Sequence, residues 1–401
     1  MSNINNDLTI SKKEMKLMED TELENIIKKI IQNSKDPLLV KDPQLANLSL
    51  HYIFEKLKEC DFDEEKYNFD TEEFQEVISS YLDNTSDEFL KDLLPEEMEH
   101  LTQFRLDQDH LKLKIRKFWG EALDLLEILY LISYEIGSNF NREEQKNPEI
   151  NQDFVFIALT HLHGKACQTF FEIIILLENG FASGANARWR TLDEIAVIAF
   201  FLRKHDQTIA KRYLDHSYID SYKAMIQLND YAERLGYEKY TNEEIQNLHD
   251  TCLKLENDYG KEFKNKYGWA SPVILTKSGE PNYNPDFSTL KNDVKLEHLK
   301  PYYKMASYAV HADSKGILFN ISYLPEERII PSGSSIFGLA DPGQLAAISL
   351  IHVNTALLVS KPTVLRMTFL VAMQKLLKDI KNAFSKSHDL LEESQYQDQN
   401  N

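Results

Sequence analysis

The chain has 401 residues, 42% hydrophobic and 27% charged, which bounds it to a globular protein with room for two or three domains. Its formal net charge of -19 excludes a nonspecific duplex-DNA binder, because phosphate binding needs clustered positive charge. Cys60, Cys167 and Cys252 are odd in number, far apart and free of any CxxC. That pattern excludes a disulfide framework and argues against a zinc site, so a reducing, cytoplasmic setting is expected, with no metal and no cofactor.

The N-terminal MSNINNDLTISKKEMK carries no apolar signal segment. The runs Ile173 to Leu177 and Ile195 to Leu202 fall short of the roughly 20 residues a bilayer span takes. Ala346 to Val359, interrupted by His352 and Asn354 and stopped by Lys361-Pro362, reads as a buried helix, so no membrane partner is expected. Acid is concentrated early. Residues 1–105 hold 25 Asp and Glu against 12 Lys and Arg, a net of -13, while the remainder is only mildly acidic.

With 13 Gly and 12 Pro in the whole chain, long helices are favoured over a many-turned β architecture. Residues 1–10 read as disordered. Leu23, Ile26, Ile27, Ile30 and Ile31 recur at helical spacing within Met15 to Ile31. A second helix fits Leu45 to Leu57 and a third Glu72 to Leu82, joined by the acidic CDFDEEKYNFD. Together they form an expected acidic N-terminal domain, residues 11–105, suited to a protein partner.

A longer helix is expected to start near Pro95 or Asp109 and to run to Gly137, followed by a polar loop, SNFNREEQKNPEINQ. Helices over Asp153 to Glu178 and Ser183 to Lys204, joined at Asn179-Gly180, make a helical hairpin. Gln207 to Leu235 and Asn242 to Phe263 follow. Two long irregular stretches come next, and the second is expected to hold a short β-hairpin near 317–330. Gln344 to Val359 and Thr363 to Phe384 close the bundle. The expectation is an all-α fold, a multi-helix bundle domain over 106–386 with a flexible polar tail over 387–401.

The run NGFASGANARWRTLDEIAVIAFFL places two guanidinium groups and two carboxylates on an otherwise apolar helix. Charged side chains are seldom buried unless paired or functional, so chemistry is to be sought there. Arg190 and Glu194, four residues apart, share one helix face and can pair, whereas Arg188 points elsewhere and is expected to face the surface or a loop. His311 ends an apolar helix (Tyr302, Tyr303, Met305, Ala306, Tyr308) and opens a long loop. It serves there either as a C-terminal cap or as a general acid/base.

Four features carry a resemblance: Leu177-Glu178-Asn179-Gly180, then Arg190-Thr191-Leu192-Asp193-Glu194, then Gly268-Trp269, then Ser307-Tyr308-Ala309-Val310-His311. In this order the chain resembles a bacterial family of unknown function, domain of unknown function 5677, over roughly residues 110–360. The resemblance implies an all-helical fold and no established reaction. A wider likeness to the helical HEPN class, which includes ribonuclease toxins, implies an Arg followed by His after four to six residues. Arg105-Leu106-Asp107-Gln108-Asp109-His110 fits that string, but among acidic residues that would repel RNA. His161 and His163 diverge by about 200° on a helix and make no metal clamp. His216 reads as part of a solvated face.

The candidate catalytic residues are therefore Arg190, Glu194 and His311, expected to meet in one polar pocket. Two readings stand. In one, the protein is a stress or phage-defence effector whose pocket acts on a nucleotide or an RNA phosphodiester. In the other, it is a non-enzymatic interaction or regulatory module whose charged residues form a structural ion-pair cluster. Both leave room for a homo-oligomer.

Overall fold

The computed structural model describes residues 72–276, 278–311, 314–315 and 333–399. The expected helices before residue 72 and the expected hairpin near 317–330 lie outside them. The chain divides into two units, Met1–Gln103 and Phe104–Asn401. In the first unit, the described residues from 72 onward are helical, with Leu90, Leu94 and Met98 exposed.

The helix α1 spans Glu72–Glu144 with Pro95 inside it, so the start expected near Pro95 is not a break. A proline removes one N–H and strains the preceding turn. Pro95 lies on exposed backbone, where water can take the freed carbonyl. Nor does α1 stop at Gly137. Phe140, 1% exposed, continues its buried face by almost a further turn. Gly137 is a packing residue: a Cβ there would lie 2.1 Å from Cε1 of His163.

The helices α2 (Phe154–Glu178) and α3 (Ala182–Lys204) form the expected hairpin. Asp153 caps α2 by accepting the Phe156 N–H at 2.9 Å. Gly180 turns the chain at φ 77° and fits closely under the segment 333–339, with Ser335 N–H donating to its carbonyl at 2.9 Å. Trp119 Nε1 holds the same segment through the Ile336 carbonyl.

The helices α4 (Gln207–Leu235) and α5 (Asn242–Tyr259) follow, α5 opened by a Thr241–Glu244 capping box. Single-turn segments at Lys261–Lys264 and Gly268–Val273 lead to the short helices α6 (Phe287–Asp293) and α7 (Lys300–Tyr308). Among the described residues the fold is all-α, with one isolated bridge between Leu275 and Pro281.

The core is a multi-helix bundle in which α8 (Ala340–Ser360) packs on α2, α3 and α9. It is long and apolar enough to cross a membrane, yet most of it is buried inside the bundle. The last helix, α9, runs from Val364 to Gln399, so residues 387–399 of the expected flexible tail are helical. Buried Ser387 and Leu391 extend its packing face. Alongside α1 it is held by Trp119 against Phe384, at 5.9 Å between centroids, and by Arg366, which pairs with Glu143 and Glu144.

His163 lies in the middle of this core, its Nε2 3.2 Å from Asn354 Oδ1, while Asn354 donates to Ser133 Oγ. Gly137→Ala is expected to cost about 1–3 kcal/mol of stability through overpacking, seen as a lower urea midpoint. Burial lowers the His163 imidazole to about 4, whereas the unfolded chain takes up the proton near 6.5. Stability present above pH 6.5 is therefore lost as pH falls toward 4, by about 2–3 kcal/mol at pH 4.5 from this group. Urea unfolding at pH 7 and pH 4.5, compared with His163→Met, checks both sign and size.

Candidate functional site

The middle of α3 carries Arg190, Asp193 and Glu194, and each meets the α6–α7 region. Asp193 accepts from Lys291 Nζ at 2.6 Å, with both side chains 1% exposed. Burial raises the Asp193 carboxyl, opposed by Lys291, and its second oxygen has no hydrogen-bond partner among the described residues. The pair pins α6 to α3 at full depth. Lys291 also lies 5.0 Å from the Tyr303 ring, and Phe287 packs on the same ring at 5.1 Å.

Tyr303 is thus delivered to α3 from α7. Its hydroxyl donates to Glu194 Oε1, and its ring lies 4.7 Å from the Arg190 guanidinium. Burial, with the Glu194 hydrogen bond, raises the phenol, so Tyr303 stays protonated and donates. Tyr267 approaches from the loop before α6. Burial, with the charges of Glu194 and Asp286, pushes it up to about 12.

Arg190 is loosely held. Its Nε lies 3.5 Å from Glu194 Oε1 and, although buried, makes no hydrogen bond among the described residues. Its Nη1 lies 3.4 Å from Nε2 of His311. A guanidinium can only donate, so in this contact the acceptor is Nε2 of His311. His311 itself is exposed, its N–H bonded to the Ser307 carbonyl at the end of α7. The structure thus brings Arg190, Glu194 and His311 together, 121 residues apart at the widest.

Other charged residues resolve differently. Arg188 is not the surface residue expected. It is half-buried against α2, with Nε donating to Glu172 and weaker contacts to Thr169 and Thr191. His216 is buried rather than solvated, its Nε2 2.9 Å from the Asn265 carbonyl and its ring against Phe263. Arg105 and His110 are both exposed on α1. No cluster of three or more His, Cys, Asp or Glu able to hold a metal occurs among the described residues.

Spacing did not single out Asp193, Lys291, Tyr303 or Tyr267. Asp193 had a signal, a carboxylate between Leu192 and Ile195 on an apolar helix. Its partner lies 98 residues away, a separation that no local period encodes.

The Gly268-Trp269 pair has a plain structural task. Arg212 of α4 donates to the carbonyls of Gly268 and Trp269 at 3.1 Å each, and the Trp269 ring packs against Phe201 and Tyr213. This fastens the loop behind Tyr267.

Fold and site together define an all-α bundle protein with one partly exposed arginine–histidine cluster on a buried charged base. Residues 156–327 match the model of a family described as "Family of unknown function (DUF5677)", the family whose motifs the chain resembles. The match runs from α2 past α7 and is narrower than the 110–360 expected, leaving α1, α8 and α9 outside it. No curated protein and no solved structure matches the chain.

Breaking the Asp193–Lys291 pair from one side strands a buried charge. Lys291→Met is therefore expected to cost about 3–5 kcal/mol, and Asp193→Asn combined with Lys291→Met to restore much of it. Chemical denaturation of Asp193→Asn, Lys291→Met and the double variant checks this, and an additive double variant would refute the coupling.

Proposed function

We propose that the cluster of Arg190, Glu194 and His311 binds the phosphodiester of a nucleotide or an RNA and that His311 acts there as general acid/base. The observation that carries this reading is the state of Arg190. Three other guanidiniums of the bundle are well paired: Arg212 by backbone carbonyls, Arg366 by two glutamates and a carbonyl, Arg116 by three carboxylates. Among the described residues, Arg190 has the Tyr303 ring and two long polar contacts, beside an exposed histidine. A planar fork so placed suits an incoming phosphate, and an arriving anion would replace the 3.4 Å histidine contact.

In this reading Arg190 neutralises the phosphate and Glu194, fixed by Tyr303, orients the guanidinium. His311, freed of Arg190, accepts the proton of an attacking RNA 2′-OH as its oxygen bonds to phosphorus, and returns it to the 5′-oxygen as the P–O5′ bond breaks, leaving a 2′,3′-cyclic phosphate and a 5′-hydroxyl. Arg190 and His311 would then supply in space the arginine–histidine pairing of the HEPN class, which the string Arg105 to His110 supplies only in sequence. The setting proposed is cytoplasmic and bacterial, the role that of a stress or phage-defence effector, with acidic residues 11–105 recruiting a protein partner. In the competing reading the cluster is a clasp between α3 and α7.

The test compares wild type, Arg190→Ala and His311→Ala on a fluorophore-labelled single-stranded RNA, with thermal melts alongside. Cleavage is expected to fall by at least about a hundredfold in each variant, with melting temperatures nearly unchanged. Cleavage equal to wild type in either variant refutes the site. So does an inactive wild type whose variants both lose stability, which is the outcome the clasp requires.

A further inference from the structure

A second feature lies away from this cluster, among the N-terminal ends of α2 and α4 and the C-terminal end of α8. A cavity of about 330 Å³ opens there. Its floor is apolar, made by buried Phe156 with half-buried Val155 and Val359. That volume lies at the small end of the range in which proteins hold organic ligands.

The charges around it are almost all accounted for. Asp153 accepts from the Phe156 N–H, from Gln207 Nε2 at 2.8 Å and from Lys361 Nζ at 2.7 Å. Those bonds hold its carboxyl below the usual range despite burial. Asp206 caps α4 through the N–H groups of Thr208 and Ile209. His205 is paired with Asp293. Arg203 differs: it lines the same cavity and is exposed, with no hydrogen bond or ion pair among the described residues. One guanidinium, five donors, is thus left open beside an apolar floor.

We propose that this cavity binds a small organic monocarboxylate, its carboxylate on Arg203 and its apolar body on Phe156 and Val359. Charge count decides against a phosphate monoester. Lys361 is already engaged by Asp153, so among the described residues a dianion would meet one free cation while facing the carboxylates of Asp153 and Asp206. A monoanion matches the single guanidinium, and a carboxylate matches its planar fork. The site is independent of the Arg190 cluster, and neither proposal needs the other.

The probe is benzoate, with phenyl phosphate of the same ring as comparator, each titrated calorimetrically into the full-length protein. Saturable one-to-one binding of benzoate is expected, tighter than that of phenyl phosphate. Arg203→Ala should weaken it at least about tenfold, the scale of a lost charge-assisted pair. Arg203→Lys should retain part of the affinity. Val359→Phe, which fills the floor, should abolish binding while melting as wild type. Arg190→Ala should bind benzoate as wild type does. No binding by wild type overturns the proposal. So does unchanged affinity in Arg203→Ala, loss in Arg190→Ala instead, or a preference for phenyl phosphate.

Discussion

The buried pair of Asp193 and Lys291 is the contact on which the candidate site depends. Two opposite charges at 1% exposure are costly to desolvate and are tolerated only against each other. Their mutual attraction therefore tolerates little displacement of α6 from α3. Once α6 is fixed, Phe287 and Lys291 fix the Tyr303 ring, and Tyr303 fixes Glu194 and sets a face for Arg190. An electrostatic constraint in the interior is thereby converted into the position of a guanidinium at the surface.

The same helix shows how position sorts charged residues into different tasks. Arg188, two residues before Arg190, turns to α2 and ends in a tight pair with Glu172. Asp193 turns inward to Lys291, and Glu194 turns to α7. A helix advances about 100° per residue, so the four charges within seven positions spread over three directions, with Arg190 and Glu194 sharing one face. Three of the four find strong partners. Arg190, set between Glu194, Tyr303 and His311, has several contacts and no short hydrogen bond among the described residues.

Much of the fold was legible because it is local. The α2–α3 hairpin follows from apolar spacing and the Asn179-Gly180 stop. The errors share one cause: residue types taken as stops were decided by surroundings. Pro95 sits on exposed helix and Gly137 makes room for His163. The polar residues after Phe384 stay helical as Ser387 and Leu391 turn inward. At the site, the Arg190–Glu194 pairing is a spacing of four and could be read directly. His311 came into view through the order of the family motifs, and Lys291 and Tyr303 did not, because tertiary pairing across about a hundred residues leaves no period.

The resembled motifs also acquire distinct physical reasons, which argues against treating them as one active centre. Gly180 serves a turn beneath the Ser335 segment, and Gly268-Trp269 offers carbonyls to buried Arg212. Both are fastenings, and both are satisfied. Among the described residues, Arg190 and His311 are the motif residues that remain under-bonded and reachable from solvent. Saturated polar groups stabilise a fold, whereas a group left short of partners costs stability unless something else completes it. That asymmetry makes the arginine–histidine contact the candidate site and leaves the other motif residues as fastenings of the fold.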